Sequence, residues 1–226
     1  MSEGEPPVIA IDGPAASGKG TIAQGVARAL GFRYLDSGSL YRLVALKALQ
    51  AGIPLADGPR LAQAAAGMAT AFTGDRIELD GVDVTAAIRS PAVSAAASQV
   101  AIFPEVRRTL LARQRAFRRP PGLVADGRDM GTVVFPDALL KVYVTASAEE
   151  RARRRYKQLI EKGNPGTIAG LLREIRERDA RDSARAAAPL RTATDAIVLD
   201  TTDMSIDASI AFVVERFRAL RAQSER

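Results

Sequence analysis

The chain has 226 residues with no cysteine, histidine or tryptophan, and its 32 Lys plus Arg exceed its 26 Asp plus Glu for a formal charge of +6. Those absences remove thiol nucleophiles, disulfides, Cys/His zinc sites and imidazole acid–base chemistry together, and leave Asp, Glu, Ser, Thr, Lys and Arg to carry any reaction. No apolar run approaches the roughly 18 residues of a membrane span, and Met1 to Pro7 is acidic and proline-rich where a signal peptide is basic and then apolar. The length and these absences predict a cytoplasmic protein of one domain with inserts.

Val8 to Ile11 predicts a strand that runs straight into Asp12-Gly13-Pro14-Ala15-Ala16-Ser17-Gly18-Lys19-Gly20-Thr21. That segment reads as a phosphate cradle. Its glycines let successive N–H groups face one anion, and Lys19 adds a mobile positive charge for the outer phosphates. Val26, Ala27 and Leu30 follow at helical spacing, so the loop opens onto a helix from Lys19 to Leu30 whose N-terminus favours an anion. The common phosphate loop has a hydroxyl residue directly after the lysine; here Gly20 takes that place and Thr21 comes one later.

Further strands are predicted at Arg33 to Leu35, Leu123 to Ala125, Leu140 to Val144 and Ala196 to Leu199. Helical periodicity marks Leu40 to Ala51, Arg60 to Ala71, Pro104 to Arg118, Ala148 to Glu161, Ile168 to Arg185 and Ile206 to Arg221. This alternation predicts an α/β fold with a five-stranded parallel sheet flanked by helices. Arg76 to Val84 alternates with period two across Asp80-Gly81, the signature of a small hairpin within an insert. Gly163-Asn164-Pro165-Gly166 interrupts an arginine-rich helical stretch and reads as a movable flap spanning Lys157 to Thr167.

Three clusters beyond the loop carry chemistry. In Asp36-Ser37-Gly38-Ser39-Leu40-Tyr41-Arg42, Asp36 or Ser37 suits a helix cap, while Ser37 with Arg42 at a helix N-terminus suits a second phosphate. In Ala125-Asp126-Gly127-Arg128-Asp129-Met130-Gly131-Thr132, Asp126 ends a strand where phosphate-loop enzymes place an acid that orders magnesium and its waters. Arg128 and Asp129 suit a ligand with both an anion and hydrogen-bond donors, although a tight turn alone also uses Asp-Gly. Arg178, Asp182 and Arg185 share one face of a charged helix, as an anion clamp or as a solvated stripe. The run Arg151, Arg153, Arg154, Arg155 beside the flap suits closure over a nucleotide or a solvated surface. The 27 arginines against 5 lysines have two readings of their own, biased coding DNA or the fit of a planar guanidinium to phosphate.

These residues resemble the bacterial cytidylate kinases, a branch of the nucleoside monophosphate kinases, over essentially the whole chain. The resemblance rests on Gly13 to Thr21 with its glycine after the lysine, Leu35 to Arg42, Ser98-Gln99-Val100-Ala101, Arg113-Gln114-Arg115, Ala125 to Ala138 and Arg178 to Asp182. It implies a phosphate-loop nucleoside monophosphate kinase fold: a core of residues 7–36, 120–150 and 186–226, a monophosphate-binding insert of about 37–119 and a lid of about 153–167. ATP would be held by Gly13, Pro14, Ala15, Ala16, Ser17, Gly18, Lys19, Gly20 and Thr21 with Arg154 and Arg155.

By the same resemblance Ser98, Arg107 and Asp129 would read the cytosine, and Ser37, Arg42, Arg128 and Arg178 the monophosphate with Asp36 beside them. Asp182 with Arg178 would meet the sugar hydroxyls and Arg185 would join the phosphate network. Lys19, Arg128 and Arg178 would be catalytic, and Thr21 and Asp126 would face magnesium, directly or through water. The implied reaction passes a phosphoryl group from ATP to CMP or dCMP in a monomer of pyrimidine nucleotide metabolism, with no membrane or nucleic-acid partner. Competing readings are a kinase for AMP, UMP or shikimate, a nucleic-acid-binding NTPase suggested by the basic balance, and a nucleotide-gated switch. Few aromatics and the Asp residues scattered among the arginines weigh against the nucleic-acid reading.

Overall fold

The structure is a computed structural model that describes residues 5–161, 166–185 and 187–224. In chain order its elements are β1 (Val8–Asp12), α1 (Lys19–Leu30), β2 (Arg33–Asp36), α2 (Ser37–Gln50), α3 (Gly58–Ala66), β3 (Thr70–Thr73), β4 (Arg76–Leu79), β5 (Val82–Asp83), α4 (Pro91–Val100), α5 (Pro104–Arg115), β6 (Leu123–Gly127), β7 (Leu140–Thr145), α6 (Ala148–Glu161), α7 (Ile168–Ala184), β8 (Ile197–Asp200) and α8 (Ile206–Ser224). A π-helical turn, Met130–Val134, follows β6. The chain divides into two compact units, one of Met1–Leu35 and Phe117–Arg226, the other of Asp36–Ala116.

In the first unit the strand order is β2-β6-β1-β7-β8. β1 pairs in parallel with β6 and β7, and β7 with β8, giving the predicted parallel sheet. A central parallel strand is covered on both faces and therefore needs a continuous apolar run. Val8-Ile9-Ala10-Ile11 supplies one, buried at every position. Ile9 and Ile11 join Ile22 and Val26 of α1, Val142 and Val144 of β7, and Val213 and Phe217 of α8 in one core. Each such side chain contributes about 1.5–3 kcal/mol by leaving water, so the carboxyl ends of the strands stand on a rigid floor. The chain leaves β1 on one side for β2 and β6 and on the other for β7 and β8, which puts the sheet's switch point at Asp12, opposite Gly127 and Tyr143. Ligands of open α/β sheets bind at that point.

The second unit is helical, with α2 packed on α4 and α3 on α5. Its three-stranded antiparallel sheet runs β3-β4-β5. The predicted hairpin is present: Leu79 pairs with Val82 across Asp80 and Gly81, both at positive φ, as a two-residue turn requires. Lys47 of α2 donates to Asp80 at 2.8 Å and fastens this sheet to the helices.

Two elements differ from the sequence expectation. The helix predicted to run to Ala71 ends at Ala66, because Gly67 stops it and Thr70–Thr73, rich in β-branched residues, pairs with β4 as a third strand. Helix α4 was not foreseen; Ser90 caps it by accepting from the Val93 N–H, and Pro91 starts it. The flap expected at Gly163 to Gly166 falls largely on residues 162–165, which lie outside the described residues.

Candidate active site

The loop between β1 and α1 owes its path to contacts as well as to sequence. At Gly13 the backbone passes so close to β7 that a Cβ would stand 2.0 Å from the Val144 carbonyl oxygen, so only glycine fits. Ala16 sits at φ 60, a left-handed conformation that costs a residue with a Cβ about 1 kcal/mol. Helix α1 has Gly18 at its N-cap and no side-chain cap, so its first-turn N–H groups are left for a ligand. Gly13, Pro14, Ala15, Ala16, Ser17, Gly18, Lys19, Gly20 and Thr21 thus form one cradle at the switch point.

Asp126, at the end of β6, faces that cradle. Lys19 Nζ lies 3.2 Å from its Oδ1, and the Tyr34 hydroxyl donates to its Oδ2 at 3.3 Å. A Cβ on Gly20 would meet the same Oδ2 at 3.1 Å, a tight contact that glycine avoids. Thr21 is exposed on the first turn. The sequence reading passed over Asp12, whose two carboxylate oxygens accept the Met130 and Gly131 N–H groups at 2.8 Å each. It thereby ties the end of β1 to the turn that follows Arg128 and Asp129. Burial pushes the Asp12 carboxyl up to about 7 against the pull of those two N–H groups, and Asp129 and Asp126 add to the rise. An acid at a strand end directly before the loop glycine was the available signal.

Arg128 and Arg185, two of the arginines read as anion ligands, meet at Asp182. Arg128 Nε donates to its Oδ2 at 2.9 Å and Arg185 to its Oδ1, while Asp182 is only 1% exposed. Burial alone raises this carboxyl, but Arg128, Arg185 and Arg178 outweigh burial and hold it below the ordinary 3.8. Arg178 and Asp182 of α7, with Arg185 just past its end, are therefore not a solvated stripe: Asp182 is buried and the two arginines are half-buried near it.

The arginine run of α6 divides. Arg151 is buried and donates to Ala15 O at 3.2 Å, Ala146 O at 3.0 Å and Asp179 Oδ2 at 2.7 Å. Arg154 donates to Ser17 O at 3.2 Å, Thr201 Oγ1 at 3.1 Å and Glu150 Oε1 at 3.0 Å. Arg153 is exposed, and Arg155 makes no ion pair among the described residues.

In the second unit Asp36 is the N-cap of α2, accepting from the Ser39 N–H at 3.1 Å and its hydroxyl at 2.6 Å, so the capping reading holds for it. It also accepts from Arg42 at 2.6 Å, while Arg42 Nε is buried with no hydrogen-bond partner among the described residues. Ser37, the first residue of α2, is buried beside this group. Arg107 donates to Ala101 O at 3.1 Å, at the end of α4, and its guanidinium lies over the Tyr41 ring at 5.5 Å. One turn earlier on α4 the Ser98 hydroxyl is buried with no hydrogen-bond partner among the described residues. Tyr41 went unremarked in sequence; its aromatic face beneath an arginine becomes visible only when α2 and α5 are folded together. Asp129 is buried on the first unit, directly before the π-helical turn.

Comparison with known proteins settles the family. The cytidylate kinase family model matches residues 9–219. The chain belongs to the cytidylate kinase family. A cytidylate kinase of Cupriavidus necator is 58% identical over 95% of this chain and 96% of its own length. One of Bordetella bronchiseptica is 55% identical over 96% and 98%. A solved gluconokinase structure from Sinorhizobium meliloti, 15% identical over 97% of this chain and 96% of that one, superimposes with a TM-score of 0.50 and speaks for the shared fold alone. The resemblance read from the sequence is thus correct, and the chain is a phosphate-loop kinase of the cytidylate kinase family. Kinases of this family take ATP as co-substrate. No described helix is long and apolar enough to cross a membrane.

Proposed function

We propose that this cytidylate kinase family member transfers the terminal phosphoryl group of ATP to CMP and dCMP, giving ADP and the corresponding diphosphate. The observation that carries the reading is the half-buried set of Arg128, Arg178 and Arg185 around the buried Asp182, on the same unit as the phosphate loop. Two phosphate groups that repel each other need fixed cations to bring them into line, and positioning plus electrostatics is most of what phosphoryl transfer asks of a protein. The acceptor is a phosphate monoester whose second pKa is about 6, so its attacking oxygen is ionised near neutrality without a general base. A chain without histidine or cysteine is suited to that chemistry.

Gly13 to Thr21 hold the ATP phosphates, and Lys19 offsets charge that spreads over the transferred group. Arg128 and Arg178 are the other catalytic cations, and Arg185 completes their network. Asp182 spends both oxygens on arginines and so orients them, beside its expected role toward the sugar hydroxyls. Ser37 and Arg42, steadied by Asp36, are the monophosphate ligands of the second unit. Ser98 and Arg107 are that unit's candidates for reading cytosine, and Asp129 is the first unit's. Residues 37–119 form the monophosphate-binding insert and residues of about 153–167 the lid, with Arg155 toward ATP.

The donor set fits a magnesium ion. Asp126 is a single hard carboxylate at a strand end, next to Gly20 where no side chain intervenes, and magnesium is usually held by one or two carboxylates, waters and substrate phosphates. Asp126 would hold it, directly or through water, with the Thr21 hydroxyl on the first turn of α1 as the second candidate. When bound, the ion neutralises charge on the ATP phosphates. The reading includes a monomer working in the cytoplasm. An ADP-release assay with ATP and magnesium, offering CMP, dCMP, UMP and AMP in turn, tests the assignment. Strong turnover with CMP and dCMP is expected; preference for UMP or AMP overturns it.

A further inference from the structure

We propose that Arg151 and Arg154, which the sequence places in a run suited to covering nucleotide, are positioning residues that set the direction of the phosphate-loop amides. They stand three apart on α6, and each donates to a loop carbonyl: Arg151 Nη1 to Ala15 O and Arg154 Nη1 to Ser17 O, both at 3.2 Å. The Thr201 hydroxyl reinforces the second contact at 3.1 Å. A trans peptide is planar, with its C=O and the following N–H pointing in opposite directions. Turning the Ala15 and Ser17 carbonyls toward α6 therefore turns the N–H groups of Ala16 and Gly18 away from it.

Between these two carbonyls lies Ala16, at φ 60, the residue that most resists the loop's conformation. Arg151 holds the peptide that precedes Ala16 and Arg154 the peptide that follows Ser17, so the pair brackets the segment in which a residue with a Cβ takes that conformation. Each arginine commits further donors elsewhere. Arg151 reaches Ala146 O and Asp179 Oδ2, and Arg154 reaches Glu150 and Thr201. Asp179 lies on α7, between Arg178 and Asp182, so Arg151 also joins the loop to the helix that carries the anion clamp. The arginines act on ATP through the loop backbone.

The inference rests on the loop holding ATP, as proposed above, and is tested on binding. Calorimetric ATP affinity is measured for the native chain and for Arg151→Met, Arg151→Lys, Ala16→Gly and the Arg151→Met/Ala16→Gly pair. Arg151→Met weakens ATP binding at least tenfold. Arg151→Lys does not restore it, since one ammonium cannot span three acceptors on different elements. Ala16→Gly alone changes affinity less than threefold, yet in the Arg151→Met background it regains at least fivefold, because glycine takes a left-handed conformation without being held.

Lysine binding ATP like arginine, or a double variant no better than Arg151→Met, overturns the proposal. Thermal melts accompany the series. Should Arg151→Met unfold, Arg151→Lys with and without Ala16→Gly, and Arg154→Met, carry the same comparison. Native turnover of CMP is recorded in parallel, so failure of the kinase reading shows there and leaves the ATP-binding cycle to stand or fall alone.

Discussion

In the first unit the cations of the site are already tied to carboxylates, Lys19 to Asp126, Arg128 and Arg185 to Asp182, and Arg151 to Asp179. In the second unit Arg42 is tied to Asp36 in the same way, but the Ser98 hydroxyl on α4 is buried with no hydrogen-bond partner among the described residues. The two arrangements suit different tasks. Phosphoryl transfer is served by donors that are aimed beforehand and do not reorganise during the reaction, which internal ion pairs provide. Recognition of a base benefits from a polar atom whose desolvation is repaid only by the right ligand, since a wrong one leaves it unpaired. The same type of substitution should therefore act with opposite sign on stability in the two places.

The largest effect is expected at Lys19. Lys19→Ala should lower kcat by about 10²–10³, the range for removing one preorganised donor to a developing charge, while the melting temperature moves by only a few degrees. Near-native turnover in steady-state assays with CMP would falsify the role given to the loop.

Next is Asp182→Asn. Taking one partner from a buried ion cluster costs about 3 kcal/mol, or a drop in Tm of roughly 6–12 °C for a chain this size, together with a fall in kcat as the arginines lose their anchor. The pH sign follows from the lowered carboxyl. Asp182 binds its proton more weakly folded than unfolded, so its contribution is fully present above the unfolded value of 3.8 and is lost as pH falls through the lower folded value. The stability gap between native chain and variant, read from denaturant midpoints, should stay constant near neutrality and close in acid. A gap that instead closes as pH rises would place the charge pairing elsewhere.

The smallest effect is predicted at Ser98 and should run the other way. Ser98→Ala deletes a buried hydroxyl without a partner, so Tm should hold or rise, while KM for CMP rises about tenfold, the worth of one hydrogen bond. A variant that melts lower yet uses CMP normally erases the contrast between the units.

Much of the first unit was legible in sequence because its signals are local. An apolar run, a glycine-framed lysine loop and a 3.6-residue period lie within single segments, and α1 and α6 begin and end where periodicity puts them. The second unit was harder. Helix α4 is rich in alanine and serine, with weak contrast between its faces, and β3 is a short edge that reads as helix until β4 is there to pair with it. In the proposed site, residue types at a helix start and a strand end pointed to Lys19 and Arg128, and spacing along one helix face to Arg178 and Asp182. Asp12 and Tyr41 escaped, and Arg151 was read only as closing over a nucleotide or lying solvated, since each makes its contacts with partners far along the chain: Met130 and Gly131, Arg107, and Ala15 with Asp179.

The sequence by itself determined the parallel sheet, the phosphate loop and the absence of imidazole and thiol chemistry, because backbone propensity and side-chain inventory are carried residue by residue. Only the tertiary structure decided which arginines of α6 are spent on the protein. Arg151 and Arg154 look alike in sequence with Arg153 and Arg155, and a guanidinium's task is set by the carbonyls and carboxylates that folding brings within 3 Å or so of it. Those acceptors come from β1's loop, α7 and the segment after β8, which meet only when the sheet has closed its core.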